Sequence, residues 1–408
     1  MSEHSGPEVG AGCPAHPLPR ASAIEQPSLH ARLREEMPVA SITLPTGAPA
    51  FLVTRYADAR TVLDSPAFSR APLSATSSAE MINLQPDAPP PLRESADRQG
   101  AGHTIPHDLV TRFLSPRSVH AMRPAIERIT RQRLDELAAS PPPADLMALL
   151  ARAVPAAVIC ELLGIPEKDR PWLLERAPAQ LYWSPDEHAR RAQAELAAYF
   201  KDLVEAKLQA GGQDMFAQAL GRLGPAHTVP VEKLVVLAIR LAVAGFHSVG
   251  VTVGRALPVL LRDRRLYARL AVDPSILEKA VDEMLRYTSP SDTALPRLAV
   301  DDAELSGTPI PAGSIVLVAL DSANHDPRFW REPEVVDLER PGIAQHLTFG
   351  WGSNHCIGAA LARTELRVIF SGLAQRFPDL RLAIAEKDIR WREGILSNDP
   401  LELPVSGW

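Results

Sequence analysis

The stretch "HLTFGWGSNHCIGAALARTEL", residues 346–366, places one cysteine among three glycines and in front of a helix-forming run. Glycine permits backbone conformations and close approaches that a Cβ atom resists, so this loop could bring a large flat ligand against the sulfur of Cys356. The run after it, residues 359–377, predicts a helix whose N-terminus would stabilise a thiolate. A lone cysteine is more often a small buried hydrophobic residue. The rest of the sequence must therefore decide between a structural cysteine and a ligand.

Composition indicates a globular protein and restricts its partners. The 408 residues are 46% hydrophobic and 23% charged, with a net charge of -6. These values exclude disorder throughout and a strongly basic nucleic-acid-binding protein. The three cysteines are odd in number and far apart, unlike a secreted disulfide framework, and the N-terminus has no secretory pattern. We expect a cytoplasmic protein with no nucleic acid and no membrane among its partners.

One apolar segment, residues 234–254, is about as long as a bilayer-spanning helix of roughly 20 residues. Arg240, His247 and three glycines interrupt it. A central helix buried in a large globular protein produces the same pattern, and we favour that interpretation.

The remaining chain predicts a mainly α protein with a small β region. Proline clusters separate elements, and no repeat or linker divides the chain, which predicts a flexible tail over 1–16 and a single domain over 17–408. A hairpin is predicted over 41–56, turning at Thr46 and Gly47. Periodicity and breakers predict helices over 56–65, 117–138, 145–164, 167–180, 187–209, 230–262 and around 278–288, and short strands within 294–300, 303–310 and 314–320.

The loop "FGWGSNHCIG" is similar to the haem-binding signature of the cytochromes P450, Phe-Gly-x-Gly-x-His/Arg-x-Cys-x-Gly. The matching positions are Phe349, Gly350, Gly352, Cys356 and Gly358. Further resemblance, in the family's order and spacing, covers roughly residues 17–408, so the chain is identified as a member of the soluble bacterial P450s. The resemblance implies the P450 fold, a triangular prism with a long central helix over the haem. It also implies haem b as cofactor, with Cys356 as the axial thiolate and metal ligand.

The resemblance implies a second constellation. Glu283 and Arg286, in "EMLR", match the family's Glu-x-x-Arg pair, set one helical turn apart. Arg340, in "DLERP", stands at the place of their third partner. The three are implied to form a buried network that positions the haem loop.

The residues expected at the haem propionates depart from the family's pattern. His103 and His107 stand where relatives commonly have His and Arg. Asn354 occupies the usual His or Arg position of the cysteine loop, and the histidine is displaced to His355. Arg297 matches the remaining cation, so anchoring is expected to depend on Arg297 and His103.

The sequence of the central helix also differs from the family's pattern. Most relatives carry Ala-Gly-x-Asp/Glu-Thr, whereas this chain has Ala244, Gly245, Phe246, His247 and Ser248. The Ser248 hydroxyl could still hydrogen-bond to bound dioxygen. His247 titrates near physiological pH and could relay protons, or it could simply pack in the core. Both interpretations of His247 remain open at the level of sequence.

Substrate identity is weakly encoded. The resemblance places a long loop, residues 71–102, over the substrate pocket, and such loops often carry specificity. An altered proton relay suggests a tailoring enzyme of specialised metabolism acting on a small molecule or short peptide. We favour an aromatic or peptide substrate, with oxidative ring coupling as one possible reaction. The expected pocket residues are Phe246, Thr293, Ala294, Leu295, Ile395 and Leu396.

Partners follow from the resemblance. The chain has no flavin or ferredoxin domain, so electrons for O2 activation are expected from an external ferredoxin and ferredoxin reductase, and the enzyme is expected to be monomeric. Four arginines near the cysteine side could attract an acidic ferredoxin: Arg112, Arg117, Arg363 and Arg367. Three alternatives to ring coupling stay open, namely a simple hydroxylating monooxygenase, a peroxide-driven P450 and a non-catalytic haem-binding or carrier protein.

Overall fold

The computed structural model describes residues 14–20, 22, 24–69, 114–182, 186–223, 229–294, 296–352, 355–392 and 399–408. The α-helices described are α1 (Leu29–Glu36), α2 (Tyr56–Asp64), α3 (Pro116–Ala139), α4 (Ala153–Leu163), α5 (Arg170–Arg176), α6 (Glu187–Ala210), α7 (Met215–Gly221), α8 (Val231–Arg262), α9 (Arg264–Val272), α10 (Pro274–Tyr287), α11 (Leu320–Asn324) and α12 (Ala359–Arg376). The strands are β1 (Val39–Thr43), β2 (Pro49–Val53), β3 (Phe68–Ser69), β4 (Ala144–Asp145), β5 (Arg297–Ala299), β6 (Ala303–Leu305), β7 (Thr308–Ile310), β8 (Ile315–Val318), β9 (Arg381–Leu382) and β10 (Pro404–Ser406). This confirms a mainly α fold with small sheets.

The chain forms two compact units. Unit 1 contains the described residues among 1–104, 291–336 and 345–356, and unit 2 contains those among 105–290, 337–344 and 357–408. The expected single domain over 17–408 stays a prediction.

Unit 1 is built on a five-stranded sheet with the order β1-β2-β8-β5-β3. Strands β2 and β8 pair in parallel, and the other neighbours are antiparallel. The predicted hairpin is confirmed, because Gly47 turns the chain between β1 and β2 with a φ of 83°. Buried apolar residues of α1 and the sheet, among them Leu33, Ile42, Leu52 and Leu317, form its core. Arg297 is the first residue of β5 and is buried.

Unit 2 is a helical assembly with a three-stranded sheet of order β4-β10-β9. Side-chain caps explain where its helices begin. The Ser115 hydroxyl accepts from the Ser118 amide at the start of α3, and the Asp186 carboxylate accepts from the Ala189 amide at the start of α6. Asp263 separates α8 from α9 and caps α9 by the same chemistry. Short polar residues therefore set the boundaries that hydrophobic periodicity leaves open.

Helix α8 is the central element of unit 2. It packs against α4 and α6, and it is the one helix of the described chain long and apolar enough to cross a membrane. Most of its apolar stretch is buried within the protein. The packing is that of a core helix, as the interrupted apolar pattern predicts.

The observed elements refine several predictions. The helix expected over 145–164 divides into a π-helix, Met147–Ala151, and α4. The helix expected over 167–180 is a short α5 between two 3-10 turns. The strand expected within 314–320 is β8, which ends at Val318, and Leu320 already begins α11. Helices α1, α7 and α9 were not predicted, since each is short and carries a weak periodic signal.

Candidate functional site

The loop that ends at Cys356 is held by backbone hydrogen bonds within unit 1. The Gly350 amide donates to Leu347 O at 2.8 Å, and the Cys356 amide donates to Phe349 O at 2.7 Å. Gly350 and Gly352 have φ angles of 74° and 65°, which L side chains rarely adopt. A Cβ on Gly352 would lie 1.9 Å from Asp64 Oδ1. The loop therefore requires glycine, and it leaves Cys356 exposed.

The helix predicted after the cysteine is confirmed, with one refinement. Gly358 is the N-cap residue and α12 begins at Ala359, so Cys356 precedes the first helical residue by three positions. His355 is exposed, and its ring centroid lies 6.1 Å from that of Phe349. Asn354 lies outside the described residues. Its expected role and that of His355 stay predictions.

Arg297 is buried in β5, opposite Val316 of β8. The same unit carries two of the expected pocket residues. Thr293 is buried and bridges Ala319, and the Ala294 amide donates to Val318 O at 2.9 Å. These backbone contacts fix the segment that leads into β5. The other expected residues here fall outside the described ranges: His103, His107, Leu295, Ile395 and Leu396.

The Glu283 network lies entirely in unit 2. Arg286 donates to both carboxylate oxygens of Glu283 at 2.8 Å, and Arg340 donates to the same oxygens at 3.2 and 3.1 Å. The Asp337 amide adds a fourth donor group at 2.9 Å. Glu283 and Arg286 are fully buried, and Arg340 is 5% exposed. A carboxylate shared by two guanidinium groups is strongly oriented, so the segment that carries Arg340 is fixed to α10.

On α8, Ala244 is exposed and Phe246 is buried. Gly245 permits close packing, since a Cβ there would lie 2.3 Å from Ile159 Cδ1. Ser248 Oγ donates to Ala244 O at 2.8 Å, the usual back-bond of a helical serine. The Ser248 proton is therefore engaged within the helix, while the oxygen can still accept a hydrogen bond.

His247 is held neutral by its surroundings. Burial lowers its pKa to about 4; the Asp399 carboxylate acts in the opposite direction, and Arg392 and Arg152 lower the pKa further. At neutral pH the imidazole carries no charge, with one donor and one acceptor nitrogen. The neutral imidazole can therefore accept a proton at its unprotonated nitrogen, whereas the imidazolium form that would donate one is not populated at neutral pH.

Sequence reasoning missed three residues. Asp399 is 2% exposed and pairs with Arg152 at 2.8 Å, and Asp399 and Arg152 join the C-terminal segment to the π-helix. Nothing local in "SNDP" distinguishes this aspartate from a turn residue. Glu365, on α12, is completely buried, and neither carboxylate oxygen has a hydrogen-bond partner among the described residues. The sequence signal that could have revealed Glu365 is its position on the apolar face of α12.

Two of the arginines expected to face a ferredoxin are engaged within the chain. Arg363 Nε lies 2.7 Å from Asp282 Oδ1, and Arg367 pairs with Glu278. Both remain partly exposed. Arg117 is exposed at the start of α3, and Arg112 lies outside the described residues. Internal ion pairs reduce the positive field that Arg363 and Arg367 present to a partner.

The residues present fit a haem. An exposed cysteine ends a loop in which a Cβ at Gly352 would clash, and a short helix-entry segment follows it. In the same unit Arg297 is buried, and its guanidinium is the kind of group that would pair with a propionate. A cysteine thiolate and a buried cation are groups that would hold a haem iron and a propionate.

Comparison with known proteins agrees with this geometry. A family model described as cytochrome P450 matches residues 273–380. The mycinamicin IV hydroxylase/epoxidase of Micromonospora griseorubida is 33% identical over 396 residues, covering 96% of this chain and 98% of that protein.

Solved structures agree as well. The putative thioether synthase SgvP, involved in the tailoring step of griseoviridin, has a TM-score of 0.88 and 34% identity, covering 98% of this chain and 100% of that one. Cytochrome P450mel 107F1, described as having biaryl coupling reactivity, has a TM-score of 0.84 and 33% identity, with 97% and 100% covered. The chain belongs to the cytochrome P450 family and is an oxidoreductase of the monooxygenase type, with haem held by the Cys356 thiolate.

Proposed function

We propose that this P450 tailors a specialised metabolite by joining two atoms of an aromatic or peptide substrate, with loss of two hydrogens. The observation that carries the proposal is the α8 sequence, where neutral His247 replaces the family's acid. Two of the similar structures bear names that denote bond formation, a thioether synthase and a P450 with biaryl coupling reactivity. Coupling requires hydrogen abstraction without oxygen insertion.

The reaction balances as follows. The substrate loses two hydrogen atoms, O2 takes up two electrons and two protons from outside, and two water molecules form. In hydroxylation, by contrast, one oxygen atom enters the product and one water forms. Bound haem supplies the O2 activation and the hydrogen abstraction. Electrons are proposed to come from an external ferredoxin and its reductase in the cytoplasm.

The chain's own residues orient the partners and handle protons. Ser248 Oγ, its proton directed to Ala244 O, presents an acceptor on α8. His247 can accept a proton on a ring nitrogen. Phe246 is buried on the same helix. An acceptor and a neutral base differ from the carboxylic acid and free alcohol of most relatives, so the chain supplies the two external protons by a different route.

Product mass tests this proposal. Haem-loaded enzyme is screened with aromatic compounds and short aromatic peptides for the low-spin to high-spin shift, and the compounds that bind are incubated with ferredoxin, reductase, NADPH and O2. We expect a product lighter than its substrate by two hydrogen atoms. A product heavier by one oxygen atom would contradict coupling.

Hydroxylation is the second candidate, favoured by the similarity to the mycinamicin IV hydroxylase/epoxidase. The same assay separates the remaining alternatives. Turnover with hydrogen peroxide and no reductase would identify a peroxide-driven enzyme. Binding without any substrate-dependent NADPH consumption would identify a haem-binding or carrier protein.

A further inference from the structure

One face of α8 is lined by glycines that let other segments approach closely. Gly250 and Gly254 follow His247 at three and seven positions, so the three residues share a side of the helix. A Cβ at Gly250 would lie 3.0 Å from Ala151 O and 3.5 Å from Arg152 Cγ. A Cβ at Gly254 would lie 3.0 Å from Pro400. The π-helix end and the C-terminal segment thus pack on the helix side that bears His247.

These two segments bring an ionic cluster to that side. Asp399 Oδ2 lies 2.8 Å from Arg152, and Oδ1 lies 3.1 Å from Arg392 Nε. The Arg392 amide donates to Asp399 O at 2.9 Å, and Arg152 donates to Leu401 O at 3.1 Å. Asp399 is 2% exposed, while the arginines are about a quarter exposed. The carboxylate therefore has a fixed position inside unit 2.

The electrostatic effect on the imidazole points to the same cluster. After burial, Asp399 has the largest influence on the His247 pKa and raises it, whereas Arg392 and Arg152 lower it. Packing and charge thus independently connect His247 with the Asp399 cluster.

We propose that Asp399 is a positioning residue for His247, a carboxylate carried by the C-terminal segment and braced by two arginines that orients the imidazole for proton handling. In most relatives the acid stands on the central helix itself. In this chain the histidine occupies that place, and the acid reaches the same helix face from the opposite end of the sequence. The inference rests on the proposed role of α8 in proton handling, and it is independent of whether the product is coupled or hydroxylated.

The decisive test is the ring state of His247 in haem-loaded protein. Imidazole ¹⁵N shifts, recorded at pH 7 in the diamagnetic ferrous carbon monoxide form and assigned with His247→Gln, report the tautomer. We expect Asp399→Asn to change the tautomer ratio and Asp399→Glu to restore it. Glu402→Gln is the matched control, because it removes a carboxylate that pairs with Arg390 on a more exposed part of the same segment. An unchanged tautomer in Asp399→Asn overturns the proposal.

A titration of the same signals separates charge from packing. Asp399→Asn should lower the His247 pKa, and Arg392→Gln should raise it. A merely structural role would move both variants in the same direction or neither, which would contradict the proposal. Should Asp399→Asn not accumulate as folded protein, the upward shift in Arg392→Gln decides alone.

Coupling of O2 use to product formation gives a functional readout. We expect the amount of product per O2 consumed to fall about tenfold in Asp399→Asn. Loss of the carboxylate partner of a metal-bound histidine lowers activity by about ten- to a hundredfold, and we take the lower end of that range. Glu402→Gln should leave this ratio unchanged. A normal ratio together with an altered tautomer would overturn the functional part of the proposal. If instead the proposed joining of two substrate atoms is wrong, the unmodified enzyme gives an oxygenated product.

Discussion

Glu283 is fully buried and accepts hydrogen bonds from Arg286 and Arg340, so three charges share one interior site. Taking such charges out of water is costly, and the structure offsets the cost by directing both guanidinium groups to one carboxylate. Loss of the carboxylate would leave two cations buried together. The network therefore depends on each of its members.

We expect Glu283→Gln to lower the free energy of unfolding by about 3–5 kcal/mol, the cost of breaking a buried ion pair from one side. Urea unfolding measures this change. The neighbouring Asp282→Asn breaks the partly exposed pair with Arg363 and should cost about 1 kcal/mol or less. Equal effects of the two substitutions would show that the buried network has no special importance for stability.

Glu365 is the opposite case, a buried carboxyl whose oxygens have no partner among the described residues. Burial raises its pKa well above the usual range. The folded protein therefore keeps this proton at pH values where the unfolded chain has released it. Stability falls as the pH rises from the unfolded pKa toward the folded one.

We expect Glu365→Gln to remove this pH dependence. Relative to the variant, the unmodified protein should lose up to about 1.4 kcal/mol per pH unit above about pH 4.5. Thermal unfolding from pH 4.5 to 8 measures the difference, with Glu304→Gln, at an exposed position, as the control. Parallel curves for unmodified protein and Glu365→Gln would disprove a neutral Glu365.

At the scale of elements, α8 is shaped by its glycines as much as by its apolar residues. Gly250 and Gly254 interrupt a run of valines and leucines that would otherwise keep neighbouring segments at ordinary helix spacing. Glycine inside a helix costs about 1 kcal/mol relative to alanine. Glycine is nevertheless required at position 250, because the backbone of the π-helix approaches too closely there for a Cβ to fit without displacement.

We expect Gly250→Ala to destabilise the protein by about 1–3 kcal/mol, since the new methyl would lie 3.0 Å from Ala151 O, a backbone atom that cannot rotate away. The matched control is Gly221→Ala at the end of α7, where a Cβ would have no atom within 4 Å. That substitution should be neutral or slightly stabilising. Destabilisation of similar size at both positions would mean that helix propensity, not close packing, governs Gly250.

At the scale of the whole molecule, buried histidines determine how the free energy of unfolding changes as the solution becomes acidic. Burial lowers the pKa of His16 in unit 1 and of His247 in unit 2 to about 4, and it also lowers the pKa of His30. The unfolded chain binds these protons near pH 6.5, where the folded protein does not. Their contribution is thus present above pH 6.5 and is lost as the pH falls toward 4. Because Glu365 acts above pH 4.5 in the opposite sense, stability should be greatest near pH 6.5.

We expect the free energy of unfolding to fall steeply between pH 6.5 and 4, by about 3 kcal/mol for each of His16 and His247. Urea unfolding midpoints across this range test the expectation. His16→Gln should flatten the pH profile, whereas His188→Gln, at an exposed position, serves as the control. A profile that is equally steep in His16→Gln would rule out a contribution from His16.

Much of the fold and part of the site could be predicted because their signals are local. Periodicity and breakers predicted α3, α6 and α8 to within a residue or two, and the glycines around Cys356 pointed to a loop in which Gly352 tolerates no Cβ. Glu283 and Arg286 were recognisable because they stand one turn apart. The short helices α1, α7 and α9 were missed, since a few residues carry too little periodic information.

The sequence by itself determined the family, the fold class, the thiolate and the replacement of the family's acid by His247. Only the tertiary structure decided what surrounds that histidine and how it behaves. Asp399 and Arg152 come from distant parts of the chain to the side of α8 that bears it, because glycines on α8 let two segments pack against one helix face. The proximity of these segments depends on how the helices pack. The pKa of His247 depends on its burial and on neighbouring charges, and no short stretch of residues encodes either the packing or the pKa.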